Sequence, residues 1–189
     1  MDRFKVKKAA RAIRSGGVIA YPTEAVWGLG CDPWNEQACS DLMQVKQRPS
    51  EKGMILIAGS MAQFGSLLTT LTPETQQLLQ QGWANSKQQG AVTYLVPDEH
   101  NLVPEWIKGS HQQVAIRVSH HYLVKRLCEA LNMPIVSTSA NLAGRPAARS
   151  RLQVEKHLGQ NIDYILPGRL GGARQPSRII DLLSGQVRR

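Results

Sequence analysis

The chain has 189 residues, of which 42% are hydrophobic and 20% charged, a globular balance that excludes a disordered or fibrous chain. The longest apolar runs are far shorter than the roughly 20 residues needed to cross a bilayer, so we expect no membrane-spanning segment. Lysine and arginine number 23 and aspartate and glutamate 14, giving a formal net charge of +9. This excess favours polyanionic partners such as RNA, DNA or nucleotide phosphates, although a merely basic soluble surface has the same composition.

The predicted elements alternate strands with helices along the chain. The first is a basic helix ending near Arg14, because Val6, Ala9, Ala10 and Ile13 recur at helical spacing. We then predict strands over 18–21, 54–58, 92–96, 114–118, 134–138, 162–166 and 178–182, with helices after Asn35, from Thr72-Pro73, over 121–131 and after Ser150. This alternation predicts an α/β protein with a twisted, mixed sheet and helices on its faces. Ligand chemistry should then lie at strand ends and in the loops that follow them.

The three cysteines are an odd number without a C-x-x-C pair, which argues against a disulfide scaffold or structural zinc. A reducing, cytoplasmic location is therefore expected. The histidines show no H-E-x-x-H spacing, and we assign no residue as a metal ligand. The chain also lacks a P-loop sequence, a complete G-x-G-x-x-G and a G-x-S-x-G elbow.

Two polar segments contain charged side chains beside a turn. Thr23 and Glu24 follow the first strand in the segment Tyr21–Gly30, and the Thr23 hydroxyl either binds a small ligand or caps a turn. Lys46 and Arg48 end the second helix two residues apart. Two converging cations suit a polyphosphate, but basic residues also favour a helix C-terminus for its dipole alone.

Two further polar segments lie in or after strands. Five small residues, 137–141, follow the apolar Ile135-Val136 and could hold phosphates or ribose, or form an ordinary turn. Arg117 lies within an apolar strand, where its charge needs an anion. That anion is either a ligand carboxylate or a protein Asp or Glu.

Four segments of the chain resemble the YrdC-like (TsaC) family, both in their order and in their local sequence. They are Y-P-T-E-x-V-x-G-L-G, K-x-R-P, A-x-R-V and S-T-S-A-N. The likeness runs from about Ser15 to the C-terminus. It implies one YrdC-like domain, 1–189, with a ligand cleft of basic lining. It also implies a nucleotidyltransferase that joins L-threonine, bicarbonate (or CO2) and ATP into threonylcarbamoyl-AMP and pyrophosphate.

The resemblance also implies roles for individual residues, with Mg2+ as the expected companion of ATP. Lys46 and Arg48 would be catalytic, as a clamp on the phosphates. The implied ATP-binding residues are Lys46, Arg48, Ser139 and Asn141; the implied threonine-binding residues are Thr23, Arg117, Ser137 and Ser177. Lys52 is a further candidate for phosphate or carbonate. The product would serve threonylcarbamoyladenosine modification of tRNA through a separate transferase complex, and weak direct RNA binding is a further expectation.

One segment departs from the family, which usually has Trp-Pro-Gly-Pro-x-Thr in its middle loop. Here Trp83 is followed by 84–93 without either proline, and we expect a longer and less rigid loop. Two alternatives also stay open: an RNA-binding module without catalysis, and carbamoyl-adenylate chemistry on another acceptor. Aromatic residues are only 5% of the chain, which is few for stacking on bases.

Overall fold

The computed structural model describes residues 2–47 and 53–188, and its described strands form one mixed sheet. The strands are β1 Ile19–Pro22, β2 Trp27–Gly30, β3 Ile55–Ala58, β4 Val92–Pro97, β5 Gln113–Val118, β6 Ile135–Ser139, β7 Tyr164–Ile165 and β8 Arg178–Asp181. Their order across the sheet is β7-β1-β2-β6-β3-β5-β4-β8. The β1–β7, β3–β5 and β4–β8 pairs are parallel and the other pairs are antiparallel. The predicted mixed α/β class is therefore confirmed.

Helices flank this sheet. They are α1 Asp2–Arg14, α2 Glu36–Lys46, α3 Ser66–Thr69, α4 Pro73–Gln89, α5 Glu105–Lys108, α6 Tyr122–Leu131 and α7 Arg151–Leu158, with 3-10 turns at Met61–Phe64 and Gly159–Asn161. Three predicted starts are confirmed by their caps. Asn35 accepts from the backbone N–H of Ala38, Thr72 precedes a proline at the first helical position, and Ser150 forms a capping box.

One face of the sheet is shared between a helical layer and an open region. Helices α1 and α6 pack against Tyr21, Ile57 and Ile135 of the sheet. The helix residues in this apolar cluster include Val6, Ala9, Ala10 and Ile13 of α1 and Leu123 and Leu127 of α6. Two residues further along, Ile55 of β3 and Ser137 of β6 are on the same face and are paired with each other. The helical layer covers the first set, and the second set lines a cleft.

The opposite face is covered throughout its centre. Leu56, Ile116 and Val136 alternate with the residues of the cleft face and belong to the larger apolar core, together with Leu42 of α2 and Leu79 of α4. Gly30 of β2 permits close strand packing, since a Cβ there would lie 2.3 Å from the carbonyl oxygen of Val136. This second core holds the sheet in place beneath the cleft.

The structure corrects two expectations. The segment after Trp83 is not a loop: α4 continues through Gln89, and the Ser86 hydroxyl donates to the carbonyl of Trp83 at 2.8 Å. Without proline every backbone N–H can continue the helix, and the helix ends at Gly90 with φ of +95°. The second correction is β2 at Trp27–Gly30, a strand that was not among those predicted from the sequence.

Candidate active site

A cleft of about 690 Å³ opens on the uncovered part of the helix-bearing sheet face. That volume lies within the roughly 300–1,000 Å³ of typical small-molecule sites. Its polar and charged lining includes Thr23, Glu24, Lys108, His111, Gln113, Arg117, Ser137, Thr138, Ser139, Gln175, Ser177 and Arg188. All four residues implied as threonine-binding are in this set.

The described part of the lining is basic, as the resemblance implied. Lys108, Arg117 and Arg188 contribute cations, against the carboxylate of Glu24. Lys108 is itself paired, because its ammonium lies 3.0 Å from a buried carboxylate oxygen of Asp98. Arg117 is likewise paired with Glu24, and a guanidinium nitrogen of Arg188 lies 4.0 Å from a carboxylate oxygen of Asp181, so each of these three cations has a carboxylate neighbour.

Thr23 occupies the turn between β1 and β2. Its hydroxyl donates to the carbonyl of Val26 at 2.7 Å, while its backbone N–H bonds the same oxygen at 3.2 Å. The turn-capping interpretation is therefore present in the structure. The ligand interpretation is also compatible with this bond, because Thr23 lines the cleft and a hydroxyl oxygen that donates can still accept a hydrogen bond.

Glu24, the next residue, forms an ion pair with Arg117 of β5, so the anion beside Arg117 is a protein carboxylate. The other Glu24 oxygen accepts from the Ser119 hydroxyl at 2.8 Å and from the backbone N–H of His120 at 3.0 Å. Arg117 is only 8% exposed, and its Nε has no hydrogen-bond partner among residues 2–47 and 53–188. The guanidinium is thus held by one carboxylate while part of its donor set is left without an acceptor.

Electrostatics keep Glu24 ionised. Burial alone would raise the pKa of its carboxyl, but the Arg117 charge and the hydrogen bond from Ser119 outweigh burial and hold that pKa below its ordinary value. A carboxylate with a lowered pKa is a poor acceptor of protons at neutral pH. Glu24 is therefore suited to holding a cation and not to general-base catalysis.

Lys46 and Asn141 meet behind the end of β6. The Lys46 side chain is buried, and its ammonium donates to the carbonyl of Ser139 and, at 2.9 Å, to that of Asn141. The Asn141 amide donates to the carbonyls of Leu142 and Arg145 at 2.9 and 2.7 Å. Both side chains therefore fix the loop after β6, and Ser139 is the member of this group that lines the cleft.

Ser177 approaches the cleft from the opposite side, just before β8. Its hydroxyl lies 2.8 Å from that of Thr93 in β4, and both residues are buried. Ser137 lines the cleft floor from β6. The predicted hydroxyl-bearing residues thus surround one cavity although they are distant in sequence.

Two implied site residues, Arg48 and Lys52, lie outside the described residues. Sequence reasoning also missed several site residues, among them Glu24, Thr93 and Arg188. Glu24 was noticed as a carboxylate without a role, and its signal was its position next to Thr23. Thr93 and Arg188 carried no signal in the sequence, because their positions depend on strand pairing. The backbone N–H of Arg188, for example, donates to the carbonyl of Ile179 in β8.

Within the described ranges, no helix has the length and apolar composition to span a membrane. In the same residues, no three histidine, cysteine, aspartate or glutamate side chains gather in a way that could hold a metal ion. A protein-held Mg2+ therefore does not fit the described cleft, where Glu24 is already paired with Arg117.

An α/β protein with hydroxyl groups and cations around a deep cleft is a small-molecule-binding protein by class. The Sua5/YciO/YrdC family model, described as Telomere recombination, matches residues 11–189, and the chain belongs to this family. A threonylcarbamoyl-AMP synthase of Stutzerimonas stutzeri is 55% identical over 184 residues, covering 97% of this chain and 96% of that protein. One of Marinobacter nauticus is 52% identical over 178 residues, covering 94% and 91%.

Solved structures agree on the fold. P. abyssi Sua5 complexed with L-threonine has a TM-score of 0.84 and 30% identity, covering 95% of this chain and 51% of that one. This chain thus spans about half the length of that Sua5 chain. E. coli YciO, with a TM-score of 0.76 and 23% identity over 96% of this chain and 84% of its own, shows the fold alone.

Proposed function

We propose that the chain is a nucleotidyltransferase that forms threonylcarbamoyl-AMP and pyrophosphate from L-threonine, bicarbonate (or CO2) and ATP. The observation that carries this proposal is near full-length identity of more than 50% to synthases of that name. The L-threonine complex of Sua5 supports threonine as the amino-acid substrate. The product would serve threonylcarbamoyladenosine formation in tRNA, through a separate transferase complex in the cytoplasm.

The chemistry needs little covalent participation by the protein. The threonine amine and CO2 give a carbamate, a carbamate oxygen attacks the α-phosphorus of ATP in line, and pyrophosphate leaves. The protein has to hold the reactants together, balance phosphate charge and exclude water from a hydrolysable adenylate. A deep cleft with few carboxylates meets these needs.

We assign the threonine end of the cleft to Thr23, Arg117, Ser137 and Ser177. Arg117 binds the α-carboxylate, for which the planar fork of a guanidinium is well matched. Hydroxyl groups in the cleft give the threonine hydroxyl its partner. A site built around such a bond rejects valine, because valine would leave the protein group unpaired.

We assign ATP binding to Ser139 and Asn141, together with Lys46 and Arg48. Lys52 remains our candidate for binding phosphate or carbonate. Lys46 acts at least through the loop after β6, since its ammonium bonds that loop at Ser139 and Asn141. Mg2+, where it takes part, would be held by ATP phosphates and water.

The test is pyrophosphate release from ATP and bicarbonate with threonine, serine, valine or no amino acid, together with mass detection of threonylcarbamoyl-AMP. Threonine-dependent release with product is the expected result. Release independent of threonine would overturn the proposal, as would bound ATP without any turnover.

A matched pair of variants sharpens this test. Arg117→Ala should weaken threonine binding more than ATP binding, whereas Arg126→Ala removes an exposed arginine of α6 and should change neither. An unchanged threonine affinity in Arg117→Ala would refute the carboxylate assignment. The alternative of an RNA-binding module without catalysis has no support in the synthase relatives; salt-dependent RNA affinity without ATP binding would revive it.

A further inference from the structure

We propose that Glu24 is the positioning residue of the amino-acid subsite: it orients the Arg117 guanidinium so that the remaining donors face the α-carboxylate of the substrate. This inference rests on the proposed function, which gives Arg117 that carboxylate. Glu24 thereby becomes a determinant of selectivity for an amine that carries a carboxylate.

The first support is the way in which Glu24 is held. One oxygen pairs with Arg117, and the other accepts from the Ser119 hydroxyl at 2.8 Å and the His120 backbone N–H at 3.0 Å. A carboxylate bonded on both oxygens is fixed in place. It therefore restricts the orientation of the Arg117 guanidinium and keeps its own position when a ligand binds.

The second support is the donor inventory of Arg117. A guanidinium has five N–H donors in a rigid plane, and the ion pair with Glu24 involves Nη2. The Nε, buried in a residue that lines the cleft, has no acceptor among the described residues. A guanidinium that is held at Nη2 by Glu24 and whose Nε donor has no acceptor among the described residues retains hydrogen-bonding capacity for a second anion.

The third support is that Glu24 joins the pieces of the subsite. Its backbone carbonyl accepts from Ala173 at 2.8 Å, and that of Thr23 accepts from Gly171 at 3.0 Å, so the turn holds the segment leading to Ser177. Its side chain meanwhile holds the end of β5. The Thr23 turn, Arg117 and the approach to Ser177 are thereby set relative to one another.

The test compares L-threonine with L-threoninol, which keeps the amine and β-hydroxyl but has an alcohol in place of the carboxylate. Glu24→Gln should lower the preference for threonine over threoninol about tenfold, mainly through the KM for threonine. The KM for ATP should stay within about twofold of wild type. Glu129→Gln, at an exposed ion pair on α6, is the matched control and should change none of these.

A double-mutant cycle separates positioning from a direct role. In an Arg117→Lys background, Glu24→Gln should add little further loss, because the fork that Glu24 orients is already gone. Fully additive losses would overturn the proposal. So would an equal loss of kcat with both amines, which would make Glu24 an acid–base or amine-binding group.

Folding is monitored by thermal unfolding of each variant. Should Glu24→Gln fail to fold, Ser119→Ala removes one of the Glu24 contacts and keeps both charges. It should show the same loss of carboxylate preference to a smaller degree, and an unchanged preference would overturn the proposal. If wild type itself shows no threonine-dependent pyrophosphate release, the proposed function fails instead, and the two failures are distinct.

Discussion

The hydroxyl groups of Thr93 and Ser177 lie 2.8 Å apart across the parallel pair of β4 and the start of β8. Thr93 has no exposed surface, whereas Ser177 lines the cleft. A residue within the sheet therefore fixes the position of a hydroxyl that lines the cleft.

Replacing Thr93 by valine tests this dependence. Valine has a similar shape but no hydroxyl, so the bond to Ser177 is lost in a buried setting. The free energy of unfolding should fall by about 1 kcal/mol, and the KM for threonine should rise severalfold with the KM for ATP unchanged. Chemical denaturation and steady-state pyrophosphate release measure the two effects.

The control is Thr69→Val, at an exposed threonine whose hydroxyl donates to the Ser66 carbonyl at 3.0 Å. It removes the same chemical group far from the cleft. A KM for threonine that rises equally in both variants would contradict a specific role of the Thr93–Ser177 pair.

Lys46→Ala should slow turnover by about a hundredfold, about 3 kcal/mol of transition-state stabilisation, as should Arg48→Ala. In Lys46→Ala the physical reason includes the loop after β6, which loses the ammonium that bonds the Ser139 and Asn141 carbonyls. Single-turnover pyrophosphate release measures the loss.

Lys87→Ala serves as the matched control, since Lys87 is an exposed lysine in the last turn of α4. Its turnover should equal that of wild type. Near-wild-type release from both Lys46→Ala and Arg48→Ala would rule out the ATP-end assignment.

Acid should weaken the fold in part through Asp98. Burial alone would raise the pKa of this carboxyl, but the hydrogen bond from Lys108 and those from the backbone of Val103 and Leu102 hold that pKa below its ordinary value. A lowered folded-state pKa contributes stability above the unfolded value of about 3.9, and this contribution is lost as pH falls through the folded value.

The unfolding free energy should therefore decline below about pH 4, and less steeply in Asp98→Asn. Denaturation curves between neutral pH and pH 3 give the two slopes. Equal slopes in wild type and variant would show that Asp98 titrates alike in the folded and unfolded chain.

The thiols should be protected in the native protein. Cys31 and Cys39 are buried with their Sγ atoms 3.8 Å apart, and the mutual hydrogen bond and burial raise the pKa of Cys31. Burial raises the pKa of Cys128 to about 12. Because the thiolate is the reactive form, an aromatic disulfide reagent should label these cysteines rapidly only after denaturation. Fast labelling of the native protein at pH 8 would contradict this expectation.

Local signals in the sequence predicted much of this molecule. Caps at Asn35, Thr72 and Ser150 and the apolar spacing of α1 are short-range features, and each appears in the structure. The four residues implied as threonine-binding line the cleft together with Ser139, whereas Lys46 and Asn141 bond each other behind the end of β6. The mixed sheet followed from the alternation of elements.

What sequence reasoning missed depends on long-range pairing. The partner of Arg117 lies 93 residues away in Glu24, and Lys46 meets Asn141 across 95 residues. The helical course of 84–89 was missed for a different reason. The family's proline-rich sequence suggested a loop, whereas these residues, lacking proline, extend α4 by nearly two turns.

The extended part of α4 is connected to the cleft through His120. The Nε2 of His120 lies 2.9 Å from the Trp83 carbonyl and 3.1 Å from the Ser86 hydroxyl, while the His120 backbone N–H bonds Glu24. The longer α4 therefore braces the same residue that holds Arg117.

One face of the sheet is divided between helix packing and the cleft, and this division affects how the sequence can evolve. In β3 and β6 the inner residues Ile57 and Ile135 pack against α1 and α6, whereas Ile55 and Ser137, two positions away, line the cleft. Substitutions at the outer positions can alter which amine or acceptor is accommodated without loosening the anchor. A lineage carrying this sheet can thus acquire new substrates at one end of each strand while the other end preserves a folded chain.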